Sequence, residues 1–297
     1  MQMQLFHSCS QEDPSFNHRT MNSDLGYLFS PPVEGLIFCR NNTKAMIGNP
    51  STGQFVSLLR GERTYYLFLD MIQLMICTKC CARRQLNVDH HVFNWEGPMW
   101  EESMSEEHQV FTLGAKQKWR MLECKYTHRH YPRSQGICWN GVVYYLASFN
   151  DKRSLMSFDL RSEDFNVIKL LKNHKLQEYG KLVDHTGKIT IMCHASNGLL
   201  DLWVLEDANK GEWSTAAAVI PSIEDLVGNR EHVFSGILGI GEIILVPLLP
   251  PNTFFFLCYD PKEKNARKVV IESIGEAAHV RVFFDYVESH MVLTKVS

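Results

Sequence analysis

One strand–turn–strand pattern recurs along the chain and strongly limits the folds open to it. A strand ends in a turn-forming or polar residue, about five loop residues follow, and an aromatic residue opens the return strand. We call the residue at the start of each turn the anchor. In four stretches the aromatic stands six positions after it: Phe55 after Asn49, Trp119 after Leu113, Phe165 after Asp159, and Trp213 after Asp207. A fifth stretch has Ala266 in the same place after Asp260. Asn and Asp favour turns, and an aromatic packs across a strand pair, so we predict five antiparallel hairpins.

The spacing of these hairpins indicates how the sheets are arranged. The last three intervals between anchors are 46, 48 and 53 residues. A period near 45 is typical of one four-stranded propeller blade, and from Gly35 onward there is room for about six blades. A stacked β-sandwich is the alternative, but its strands usually turn every 8–12 residues or so. We therefore predict an all-β fold, a β-propeller-like array of antiparallel hairpins in about six blades, with few short helices.

Short apolar runs support the all-β prediction, since helical periodicity is scarce. Strands are predicted in the runs that begin at Gly141, Gly187, Leu199 and Val280. The one helical start is Pro221 to Gly228, where Ser222 can cap the helix. The most hydrophobic stretch, Gly236 to Tyr259, is interrupted by Glu242 and three prolines, which favours buried strands over a membrane span. Its opening, Gly236 to Gly241, lacks the spacing of a phosphate loop and is predicted to be a tight turn.

Composition excludes several classes of protein. The 297 residues are 45% hydrophobic and 21% charged, which is sufficient for a large core. A formal net charge of -3 gives no electrostatic reason to expect nucleic acid or an anionic membrane as a partner. Nine cysteines without an apolar segment after Met1 predict reduced thiols, and hence the cytoplasm and/or the nucleus.

A cysteine-rich stretch between Met75 and His91 suggests metal chemistry. Cys77, Cys80 and Cys81 could act as thiolate ligands, with His90 or His91 completing the shell. Structural zinc sites normally combine two closely spaced pairs of ligands, so this set is incomplete. A redox CxxC pair needs a strand-to-helix context that lowers the thiol pKa, and the sequence offers none. We therefore predict no metal site and no cofactor.

Other chemistry-bearing residues also lack the arrangement that catalysis requires. His128-Arg129-His130 is predicted to be solvated surface, and Trp119 and Trp213 are predicted to belong to the core. The carboxylates form no acid–base pair at the level of sequence, and no nucleophile has a recognisable base. We therefore predict that the chain is not an enzyme and assign no catalytic, cofactor-binding or metal-binding residue; the partner-binding residues stay unidentified.

Seven segments together resemble the associated domain of the large plant F-box family. They are "PPVEGLIFC" from Pro31, "NPSTGQFVSL" from Asn49, "SEEHQVFTLGAKQKWRMLEC" from Ser105, "YPRSQGICWNGVVYYLAS" from Tyr131, "SFDLRSEDFNVIKL" from Ser157, "LWVLEDANKGEWS" from Leu202 and "GEIILVP" from Gly241. The resemblance implies a domain that recruits a target protein, and no catalysis by the chain itself. It implies residues 1–30 as a leader and residues 31–297 as the associated domain. In that family an N-terminal F-box binds the Skp adaptor of a cullin-type ubiquitin ligase.

The sequence departs from the family pattern in two places. The F-box helices would precede "LFHS", so we expect no adaptor-binding surface within this chain. Residues 70–104 replace a segment that usually reads like F-L-G-Y-D-P-x-x-x-x-Y-K-V-L-C. Asp70 to Ala82 can be back-translated with codons chosen freely among synonyms. When these codons are read one base out of frame, they give G-Y-D-P-I-N-D-M-Y-K-V-L-C. We hypothesise a frame-shifted or mis-spliced insert here, which predicts poor packing or irregular pairing.

Three functions remain open from the sequence. The first is a target-binding β-propeller of the F-box type, and the second is a pseudogene-like product that has lost binding because its early strands are scrambled. The third is a propeller enzyme, such as a galactose-oxidase-like catalyst, which would need clustered metal ligands or acid–base pairs.

Overall fold

The computed structural model describes seventeen stretches of the chain. They are residues 4–8, 19–23, 28–29, 35–40, 45–57, 79–84, 107–112, 119–130, 136–171, 180–194, 198–220, 226, 232–238, 241–247, 255–270, 290 and 293.

Strands make up nearly all the regular structure in these residues. The first eleven are β1 (Gln4–Ser8), β2 (Arg19–Ser23), β3 (Leu28–Phe29), β4 (Ile37–Arg40), β5 (Ala45–Asn49), β6 (Gln54–Ser57), β7 (Lys79–Arg84), β8 (Glu107–Thr112), β9 (Trp119–Leu122), β10 (Arg129–His130) and β11 (Ile137–Trp139). The others are β12 (Val142–Phe149), β13 (Lys152–Asp159), β14 (Phe165–Ile168), β15 (Lys181–His185), β16 (Lys188–His194), β17 (Leu199–Asp207), β18 (Glu212–Val219), β19 (His232–Ile237), β20 (Ile243–Pro247), β21 (Phe255–Asp260) and β22 (Asn265–Val270). Leu226, the one described residue of the predicted helix, is helical.

These strands form antiparallel sheets in chain order, which confirms the predicted all-β propeller-like array. The orders β3-β4-β5-β6, β15-β16-β17-β18 and β19-β20-β21-β22 are complete four-stranded blades. A fourth blade has the order β10-β12-β13-β14, with β11 also paired to β12. The sheet β7-β8-β9 has three strands and β1-β2 has two, so the described residues show four complete blades where the repeat predicts about six. No helix in the described residues is long and apolar enough to cross a membrane.

All five hairpins predicted from the repeat are present and antiparallel. They are β5–β6, β8–β9, β13–β14, β17–β18 and β21–β22. In each, the residue six positions after the anchor faces the strand before the turn. Phe165 pairs with Phe158 at a ring-centroid distance of 4.5 Å, and Phe55 pairs with Gly48. The local pattern therefore fixes the register of each hairpin.

Apolar side chains from neighbouring sheets interlock to form the core. One cluster joins Leu155 of β13 to Ile191 of β16, and another joins Leu202 of β17 to Leu245 of β20. A third joins Val110 of β8 to the sheet that contains β12. The four sheets from β7-β8-β9 to β19-β20-β21-β22 therefore each pack against the next one in the chain, which is how propeller blades pack.

Polar contacts also cross between sheets. Lys181 of β15 donates from Nζ to the carbonyl of Phe234 at 2.8 Å, and Trp213 donates from Nε1 to the carbonyl of Lys169 at 3.0 Å. Trp213 is half-buried against the core rather than inside it. The backbone N–H of Leu293 donates to Oε1 of Gln54 at 3.0 Å, across 239 residues of sequence. This last contact brings the end of the chain to the first complete blade, as closure of a ring requires.

Part of the atypical segment is regular, contrary to the prediction. β7 pairs with β8 over six residues, with Cys80 opposite Phe111 and Cys81 opposite Val110. The expectation of irregular pairing is therefore wrong for residues 79–84, which pair with β8 in one continuous antiparallel register. The rest of residues 70–104 lies outside the described part of the chain. The origin of this segment and the boundary at residue 30 stay predictions.

Candidate functional site

Four hairpin loops have the same internal structure. They join the third and fourth strands of the complete blades and begin at Asn49, Asp159, Asp207 and Asp260. In every loop the anchor's side-chain Oδ1 accepts hydrogen bonds from the backbone N–H groups two and three residues later, at 2.8–3.4 Å. Such turns hold the loop backbone in one conformation. We call these four loops the hairpin-loop face.

The hairpin-loop face lies at one end of the blades. Antiparallel strands alternate in direction, so the loop between the third and fourth strands leaves every blade at the same end. The backbone N–H of Ser162 holds the pKa of Asp159 below its ordinary value, and the backbone N–H of Lys210 does the same for Asp207. Both carboxylates therefore stay ionised at neutral pH, and their turns stay closed.

The exposed residues of this face carry charges of both signs. Arg161, Lys210 and Lys262 are basic residues, one in each of three loops, and all three are exposed. Glu263 and Asp164 supply exposed negative charge. A mixed, ordered and exposed surface of this kind suits recognition of a protein better than recognition of nucleic acid.

A buried polar cluster lies between the sheet β7-β8-β9 and the next blade. It consists of His108 on β8, Cys124 after β9, His128 before β10, and Tyr145 on β12, and we call it the His–Cys cluster. His108 is 4% exposed and His128 is 1% exposed, while Cys124 is half-exposed. The prediction of a solvated surface is thus wrong for His128, because Phe165 and Tyr145 pack against its ring.

A backbone carbonyl fixes the tautomer of His128 in this cluster. Nδ1 of His128 lies 2.5 Å from the carbonyl oxygen of Tyr126, so this nitrogen carries a proton. In the neutral ring Nε2 is then an acceptor, and it lies 3.1 Å from Nε2 of His108 and 2.7 Å from the hydroxyl of Tyr145. Nε2 of His128 is therefore placed to accept a hydrogen bond from the Tyr145 hydroxyl, and its contact with Nε2 of His108 is the longer of the two.

Three other described thiols are unsuited to chemistry. Burial raises the pKa of Cys39 to about 12 and the pKa of Cys138 and Cys258 to about 11. These thiols stay protonated and unreactive at neutral pH.

The cysteines singled out in the sequence are not the ones that the structure brings to a cluster. Cys80 and Cys81 lie on β7, whereas Cys77, His90 and His91 lie outside the described residues. The absence of a metal site at those residues stays a prediction. The sequence does carry a signal for the observed cluster, namely Cys124 four residues before His128. This spacing alone does not predict the cluster, because the third residue, His108, lies sixteen residues before Cys124 and on another strand.

Four-stranded antiparallel blades that pack in succession define a β-propeller. The chain belongs to the F-box associated β-propeller family, because the family model described as "F-box associated beta propeller domain" matches residues 1–296. This match confirms the resemblance found in the sequence.

Relatives in Arabidopsis thaliana agree with this assignment. An F-box/kelch-repeat protein is 62% identical over 309 residues, covering 100% of this chain and 79% of the relative. An F-box protein is 32% identical, covering 92% of this chain and 70% of the relative. The F-box protein DOR is 28% identical, covering 86% of this chain and 67% of the relative.

Solved structures give only distant likenesses. A chain of the nidogen/laminin complex has a TM-score of 0.49 at 7% identity, covering 88% of each chain. A luciferin-regenerating enzyme has a TM-score of 0.46 at 9% identity, covering 82% of this chain and 76% of that one. Likenesses this weak carry no argument about function.

Proposed function

We propose that this domain recognises a target protein through its hairpin-loop face. The observation that carries the proposal is the repetition of one ordered turn at the same end of four blades, exposed in three of them. Order before binding reduces the entropy lost when a partner docks, and variable loops on a rigid scaffold are a common binding device.

We further propose that recognition serves protein ubiquitination. The relatives are F-box proteins by name, and the family is that of the F-box associated domain. In this account the propeller holds the target, while contact with the Skp adaptor and the cullin is made by an F-box. The domain itself performs no catalysis, in either the cytoplasm or the nucleus.

Charge reversal on the hairpin-loop face tests the binding proposal. The test variant is Arg161→Glu/Lys210→Glu/Lys262→Glu, which alters three loops and leaves every turn anchor in place. The Lys210 ion pairs with Asp207 and Glu212 are exposed, so their loss costs little stability. The control is Lys152→Glu, an exposed residue at the β12–β13 turn, which lies at the opposite end of its blade.

The assay is quantitative cross-linking of each tagged protein in plant extract, followed by mass spectrometry. We expect the wild type and Lys152→Glu to recover the same set of proteins in equal amounts. The triple variant should recover those proteins at least about tenfold less, which corresponds to a loss of about 1.4 kcal/mol of binding free energy. Matching circular dichroism and thermal unfolding of all three proteins is the check on folding. Equal recovery by the triple variant, or loss confined to Lys152→Glu, would contradict the proposal.

A further inference from the structure

We propose that the His–Cys cluster is a binding site for a divalent transition-metal ion of the Zn²⁺ type. The ligands are Nε2 of His108, Nε2 of His128 and the Sγ of Cys124, with the hydroxyl of Tyr145 facing the fourth position. Such a site joins two neighbouring sheets of the propeller.

The distances between donor atoms are close to those of a tetrahedral site. One donor atom from each of His108, Cys124 and His128 lies within 4.8 Å of the other two, and the two Nε2 atoms are 3.1 Å apart. Zn–N and Zn–S bonds of about 2.0 and 2.3 Å place tetrahedral ligands about 3.3–3.6 Å apart. The two imidazoles therefore already stand at the required separation. The Sγ of Cys124 lies 3.8 Å from Nδ1 of His128 and 3.1 Å from the carbonyl oxygen of Tyr126, so binding requires the half-buried cysteine side chain to rotate toward the two Nε2 atoms.

The environment selects the donor atom of His128 and the kind of metal. The carbonyl of Tyr126 accepts the Nδ1–H of His128 and leaves Nε2 as the ligand atom, an arrangement common among metal-binding histidines. The cluster as defined contains two imidazoles, a thiol and a phenol but no carboxylate. That donor set suits Zn²⁺ and its neighbours, whereas Ca²⁺ and Mg²⁺ require oxygen ligands.

Metal binding here is an exchange of protons for the ion. The Cys124 thiol loses its proton to solvent when the Sγ–metal bond forms. His108 binds the metal as the tautomer with its ring proton on Nδ1, so both Nε2 lone pairs face the metal. No electrons are transferred and no other reactant is consumed. Affinity therefore rises with pH as the thiol becomes easier to deprotonate.

The position of the site suggests a structural role. His108 comes from β8, whereas Tyr145 comes from β12 of the next blade. The surrounding core, which includes Val110 and Phe158, excludes water and strengthens electrostatic interactions within it. A metal ion there would tie the three-stranded sheet β7-β8-β9 to the blade beside it.

Cobalt titration of the full chain tests the proposal. The purified protein is stripped with a chelator and titrated with Co²⁺, whose thiolate charge-transfer band reports a cysteine ligand. We expect one Co²⁺ per chain, displaced by Zn²⁺. Cys124→Ala should abolish the charge-transfer band, and His108→Gln and His128→Gln should weaken binding at least about 100-fold. Tyr145→Phe should cost about tenfold.

Matched controls separate this site from adventitious capture. Cys138→Ser and His185→Gln change the same residue types outside the cluster and should leave the titration unchanged. The variant Cys77→Ser/Cys80→Ser/Cys81→Ser should also keep the band. Should His128→Gln fail to fold, Cys124→Ala decides the matter, because its side chain is half-exposed. A band that survives in Cys124→Ala, a band lost in the triple serine variant, or a folded wild type without stoichiometric binding would each overturn the proposal.

Discussion

The effect of Gly48→Ala on the stability of the first complete blade should depend on whether the Phe55 ring is present. The two residues are cross-strand partners in the β5–β6 hairpin. A Cβ at Gly48 would lie 2.2 Å from Cε1 and 2.5 Å from Cδ1 of the Phe55 ring, well inside van der Waals contact. Gly48 is buried, whereas Phe55 is half-buried and can be displaced at a cost. We expect Gly48→Ala to lower the free energy of unfolding by about 1–3 kcal/mol, as overpacking does.

The sign should reverse when the ring is removed. In a Phe55→Ala background, Gly48→Ala should stabilise by about 0.4–1 kcal/mol, because alanine loses less backbone entropy on folding. Urea denaturation of the four proteins measures the coupling, and each curve should be one cooperative transition. Gly53→Ala is the control: Gly53 has a φ of 70° with nothing within 4 Å of a new Cβ, so its penalty of about 1–2 kcal/mol should not depend on Phe55. An equal effect of Gly48→Ala in both backgrounds would refute this reasoning, and a broad transition would favour a scrambled product.

Three more predictions concern packing, pH and gene structure. Ile191 is fully buried between two sheets, so Ile191→Ala should lower the free energy of unfolding by about 2–5 kcal/mol in urea denaturation. Val219 is exposed, so Val219→Ala should change that free energy by no more than about 0.5 kcal/mol. Similar costs for the two variants would argue against packing of one sheet on the other. The backbone N–H of Ser162 lowers the pKa of Asp159, so the unfolded chain binds more protons between the two pKa values and stability should fall as the pH falls through that range; Asp159→Asn should remove that fall, and an unchanged slope would contradict the assignment. The native transcript should read G-Y-D-P after Leu69 if residues 70–104 come from a shifted frame, and a transcript that encodes the chain as given would end that hypothesis.

Sequence reasoning succeeded where structure depends on local chemistry. The Asp159 and Asp207 turns and the strand opened by Phe165 follow from residues within one hairpin, so their register was predictable. The blade count was less accurate, since it depends on how strands associate beyond the hairpin. β7 was missed because its pairing with β8 joins residues far apart in the chain.

The candidate sites show the same limit. The hairpin-loop face follows from turn residues that a reader can find in the sequence. The His–Cys cluster does not, because His108, His128 and Tyr145 come from three separate elements and meet only when two sheets pack. Beside Arg129 and His130, His128 looks like surface; its burial is decided by Phe165, which lies 37 residues further along the chain.

Residue-resolved cross-linking between this protein and a recovered target tests the central claim most directly. Lysine side chains are the natural reporters, because Lys210, Lys262 and Lys264 are exposed on the hairpin-loop face and Lys152 is exposed at the opposite end. The account predicts that cross-links to the target come from the first three lysines and that Lys152 stays unmodified. Cross-links that come from Lys152, with none from the hairpin-loop face, would contradict it.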